Sequence, residues 1–108
     1  MPHDIDWQTY FGLDEVEQAK ILVDLAHELE EYAPQELREL EARIHGDRPT
    51  SIADRAVFAR ELARYMNEKK GFFGRSHKDL TRRMGPYHFN YNDVGYAVVY
   101  LIKGVWPR

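Results

Sequence analysis

Residues 86–104 read P-Y-H-F-N-Y-N-D-V-G-Y-A-V-V-Y-L-I-K-G, and the fold turns on how they are read. Tyr87, Phe89 and Tyr91 fall at every second position, the period of a strand with one buried face. One reading pairs YHFNY with YAVVYLI through the turn Asn92–Gly95, where glycine supplies the positive φ of a bulged hairpin. The other starts a helix at Asn92 or Asp93. Val94, Ala97, Val98, Leu101 and Ile102 then form one apolar stripe, and Gly104 closes it. The β-branched residues favour the strand, whereas the cap and the stop favour the helix. Periodicity leaves both open.

Upstream, the pattern is helical. Asp14, with Glu17 three residues on, forms a capping box. Val16, Ala19, Leu22, Val23, Ala26, Leu29 and Ala33 then recur at helical spacing. That helix should end near Tyr32, because Pro34 disfavours helical geometry at Ala33. Pro34 suits the first position of a second helix, with a seam of Leu37, Leu40 and Ile44 and an end at Gly46. Residues 47–50 read as a loop. A third helix is expected from Thr50 or Ser51, with Asp54 completing its cap and Gly71 stopping it. Ile52, Ala56, Ala59, Leu62, Ala63 and Met66 would face inward, with Phe58 and Tyr65 on the flanks. Trp7, Tyr10 and Phe11 form a short lead-in whose rings cap the core. Phe72-Phe73-Gly74 reads as a connector, and Ser76 with Asp79 caps a short helix, SHKDLTRRM.

The fold class that follows is mainly α: one domain over residues 1–108, a bundle of four to five helices. Its C-terminal segment is either a helix or a β-hairpin. The 108 residues are 44% apolar and 13% aromatic, enough for one core and against disorder. With no cysteine, disulfides, a thiolate nucleophile and cysteine-based zinc sites are excluded. No run approaches the length of a membrane span, and MPHDIDWQTY carries acids where a signal peptide needs bases. A cytoplasmic protein with no membrane partner is the expectation.

The net charge of −3 conceals a division of the chain. Residues 1–48 hold 13 acidic and 4 basic side chains, a net −9, whereas residues 49–108 hold 5 and 11, a net +6. Such asymmetry points to surfaces with a use. Lys69, Lys70, Arg75, Lys78, Arg82 and Arg83 are the candidate contacts to phosphate, which needs charge at the surface and no base reading. An ordinary solvated face is the bland alternative for the cluster. For the rings of Tyr87, Phe89 and Tyr91 the favoured reading is a core edge, since stacking platforms interleave rings with Arg or Lys and here only His88 and Asn90 intervene.

Within residues 76–106, a short helix DLTRRMG is followed by a second, VGYAVVYLIKGVW, that opens on a buried aliphatic and ends L-x-x-G-aliphatic. This segment resembles a helix-turn-helix module of the winged-helix kind. The resemblance implies a DNA-associated regulator whose second helix meets base edges. Its outward positions would be Gly95, Tyr96, Val99, Tyr100 and Lys103, a face suited to a protein partner or a homodimer seam.

Other chemistry is sparse. His27 and Glu31 stand four apart on the first helix, yet two ligands are not a metal site. Arg83 and His88 have an R-x4-H spacing that resembles the motif of helical HEPN ribonucleases, but Gly85-Pro86 intervenes and the rest of that pattern is missing. No phosphate-binding glycine loop or G-x-S-x-G motif occurs. The expectation is therefore a non-enzymatic regulator without cofactor or metal, docking on nucleic acid, with DNA the named partner, through its basic half. The alternative is an inhibitor or adaptor that binds a protein through acidic helices, imitating nucleic acid with Glu28, Glu31, Glu36 and Glu39, or through Tyr96 and Tyr100.

Overall fold

The computed structural model describes residues 7–69, 81–84, 87–90 and 94–107. Five helices stand among them: α1 (Trp7–Phe11), α2 (Glu15–Tyr32), α3 (Pro34–Glu41), α4 (Arg55–Glu68) and α5 (Val94–Lys103). Four short strands complete the order, β1 (Gly46–Pro49) before α4, β2 (Thr81–Met84) and β3 (Tyr87–Asn90) before α5, and β4 (Val105–Pro107) after it. They form two antiparallel pairs, β1 with β4 and β2 with β3.

The helix starts follow their caps. Asp14 accepts from the Glu17 amide at 2.9 Å. Asp54 accepts from the Ala56 and Val57 amides at 2.8 and 3.4 Å. Each bond satisfies an amide that the first turn leaves without a partner. Ala33 breaks α2 from α3 with φ −140°, and Pro34 opens α3. Gly104 ends α5 at φ +67°, a conformation that costs a β-carbon and that glycine adopts freely. The ambiguous segment is thus a helix after residue 94.

Helix α5 is the element on which the others converge, packing against α2, α3 and α4. Ala97, Val98 and Val99 are fully buried and Leu101 nearly so. They meet Leu22, Leu25, Ala26 and Leu29 of α2, Leu37 and Leu40 of α3, and Leu62, Ala63 and Met66 of α4 in one core. A helix apolar around most of its girth needs cover on several sides, which corrects the expected outward face: Val99 and Gly95 are buried.

Other expectations change for traceable reasons. The third helix begins at Arg55, four or more residues late, because the Thr50 hydroxyl accepts from the Ile52 amide at 3.1 Å and turns the chain before Asp54 caps it. Its buried stripe is also rotated. Phe58, expected on a flank, is 2% exposed, and Ala56, expected inside, is exposed. The cause is β4, which brings Trp106 edge-on to Phe58 and Tyr65 at ring distances of 5.6 and 5.7 Å. On α2, Val16 is 45% exposed and Val23 half-buried instead of core.

Helix α3 stops at Glu41 rather than Gly46, and residues 46–49 are a strand rather than a loop. Gly46 lies opposite Pro107, so close to β4 that a β-carbon there would strike Val105. Thr50 closes this pair by donating its amide to the Gly104 carbonyl at 2.7 Å. The second half of SHKDLTRRM is strand β2, and YHFN pairs with it rather than with YAVVYLI. The alternative hairpin through Asn92–Gly95 is lost because residues 94–103 are taken up by α5, which leaves YHFN to pair with the strand just before it. The connector Phe72–Gly74, the cap Ser76–Asp79 and Tyr91 lie outside the described residues, as do the side chains of Tyr87 and Phe89. The backbone of β3 runs beside α5.

Candidate functional surfaces

The basic candidates fall on two elements. Lys69 is the C-cap residue of α4 and exposed, where a cation complements the negative end of the helix dipole. Arg82 and Arg83 are consecutive on β2, with Phe89 and His88 as their register partners on β3. They therefore sit on a two-stranded ribbon, not on the helix expected from SHKDLTRRM. Arg83 and His88, spaced R-x4-H in sequence, are directly opposite across it. Lys70, Arg75 and Lys78 lie outside the described residues.

The acidic candidates occupy the end of α2 and the length of α3. Glu31 and Glu39 are exposed, Glu28 and Glu36 half-buried. Beside them Glu30 accepts from Arg55 of α4 at 2.8 Å. The same guanidinium nitrogen stands 3.4 Å from His27 Nδ1, so this side of α2 already holds a cationic group from Arg55. Among the described residues no three His, Cys, Asp or Glu side chains converge as a metal site.

Tyr96 and Tyr100 are half-buried rather than outward. The Tyr100 hydroxyl donates to the His45 carbonyl at 3.0 Å, which ties α5 to the start of β1. Burial pushes its ionisation above the usual tyrosine range, and the neighbouring Tyr65 and Tyr96 add to that. Tyr65 is raised by burial and by the Asp47 carboxylate. With Val99 buried between them, Tyr96 and Tyr100 lose the apolar centre of the proposed dimer seam.

A polar contact the sequence does not signal lies deeper. Gln18, fully buried on α2, donates to the Tyr10 carbonyl at 2.9 Å and to Asn67 Oδ1 at 3.1 Å. Its own carbonyl accepts from Asn67 Nδ2 at 2.8 Å. A glutamine among Val16, Ala19 and Leu22 reads as solvent-facing unless the partner helix is known.

No described helix is long and apolar enough to cross a membrane. The chain matches no protein-family model, no curated protein and no solved structure.

Proposed function

We propose that this chain is a small non-enzymatic regulator that docks on duplex DNA through its basic C-terminal half. The observation that carries the reading is the ribbon β2–β3, with Arg82 and Arg83 at consecutive positions in its first strand. A two-stranded antiparallel ribbon fits the major groove of B-DNA, and the fork of an arginine guanidinium suits bidentate contact to phosphate. Lys69, exposed at the end of α4, adds to the same positive charge, while the net −9 of residues 1–48 favours keeping the first helices away from the backbone. Docking of this kind positions the protein without reading bases. Fluorescence anisotropy of a labelled duplex should show binding to the native chain and its loss in Arg82→Glu/Arg83→Glu. Equal binding by that variant would sink the reading.

A second reading is favoured by a separate observation: Glu31 and Glu36 make no ion pair among the described residues. Uncommitted carboxylates on adjoining helices suit the cationic groove of a protein partner. Charge reversal at Glu36 and Glu39 that leaves such a partner's affinity unchanged removes this reading.

A further inference from the structure

Helices α2 and α4 are bridged at two levels. Arg64 reaches Glu15 at 3.7 Å, and Arg55 reaches Glu30 at 2.8 Å. Between these levels the surface opens into a groove of about 290 Å³. Buried Ala19 and the side chains of Val16, Val23 and Ala56 line it, and Lys20, Asp24 and Arg60 stand at its mouth. Large exposed apolar side chains are few among the described residues. Val16 in the groove is 45% exposed, and Val57, next to Ala56, is 48% exposed.

We propose that this groove is a homodimer interface, in which two copies of the chain meet about a two-fold axis. The charges at its mouth select that occupant. Lys20 is already paired within its own helix to Glu17 at 3.5 Å. Asp24 and Arg60 are both exposed, one on each helix, and neither makes an ion pair among the described residues. The other two α4 arginines just named, Arg55 and Arg64, are both bridged to α2. A surface with one free acid on one side of an apolar strip and one free base on the other is complementary to itself. Rotation about an axis through the strip sets Asp24 of each copy against Arg60 of the other, as an isologous interface requires. The valines of the two copies then exclude water from both pairs, which strengthens them. A simple anion or cation would satisfy only one side. The groove shares no residue with the DNA-docking ribbon or with Lys69, so its test is independent of that reading.

The test is sedimentation equilibrium of the full chain from low micromolar to submillimolar concentration, with circular dichroism to check folding. The native chain should show a monomer–dimer equilibrium. Asp24→Arg and Arg60→Asp each set like charges opposite one another twice per dimer, and each should weaken self-association about tenfold or more. Mixed together, these two variants should associate again, because every facing pair is then attractive. Native chain that stays monomeric throughout the range overturns the proposal. So does a native dimer that neither substitution weakens, or a mixture of variants no more associated than its components.

Discussion

Replacing Gln18 by leucine tests how α1 and α4 are held to α2. The side chain takes part in three hydrogen bonds, two to Asn67 and one to the Tyr10 carbonyl. At about 1 kcal/mol net for each neutral bond, their loss removes roughly 3 kcal/mol. Two features hold the penalty near that figure. The Tyr10 carbonyl keeps the Leu13 amide at 3.2 Å, and Asn67 is only half-buried, so water reaches its freed amide. Leucine also fills most of the vacated volume with apolar atoms, which returns about 1 kcal/mol. The expected net loss is about 2 kcal/mol, or roughly 8 °C in melting temperature for a domain of this size. Urea denaturation of Gln18→Leu, Asn67→Ala and the double variant gives the coupling directly. Two of the bonds are shared by Gln18 and Asn67, so the double variant should lose less than the two single losses combined, by about 2 kcal/mol. Additive losses, or a Gln18→Leu midpoint equal to the native one, would refute the argument.

Three other outcomes follow from local geometry. Asp54→Ala leaves two first-turn amides of α4 without their carboxylate and should cost about 1 kcal/mol, measured by thermal melting. Gly104→Ala meets only Thr50 Cγ2 at 3.8 Å, so its cost is the conformational one for a left-handed residue, about 1–2 kcal/mol; a neutral melt would contradict the φ of +67°. Burial raises the ionisation of Tyr10, Tyr65 and Tyr100, so above about pH 10 the unfolded chain releases protons that the folded chain retains. Stability is full below that pH and falls as it is exceeded, and Tyr10→Phe should flatten the fall in urea midpoints across that range.

The parts of the fold legible in the sequence were those written locally. Asp14, Pro34 and Asp54 each mark a helix start within a few residues, and the Leu22–Leu29 stripe is the core face of α2. What the sequence could not show depends on partners far along the chain. Nothing in Gly46-Asp-Arg-Pro49 alternates, and it becomes a strand only because Val105–Pro107 returns beside it. That same return turns Phe58 inward under Trp106 and leaves Ala56 outside. The basic candidates were recognisable by charge, but their support was not. Thr81–Met84 fits a helix by spacing, and its pairing with Tyr87–Asn90 moves Arg82 and Arg83 onto a ribbon. Gln18 gave no signal because its partners, Tyr10 and Asn67, lie on other helices.

The central claim is phosphate docking, and the most direct test is the affinity of the native chain for a labelled DNA duplex across a range of salt concentrations. Each phosphate contact contributes about −0.9 to the slope of log affinity against log salt. Engagement of between three and six cations from residues 69–83 therefore predicts a linear slope of roughly −3 to −5. Absence of binding at the lowest salt, or affinity that does not change with salt, would contradict it.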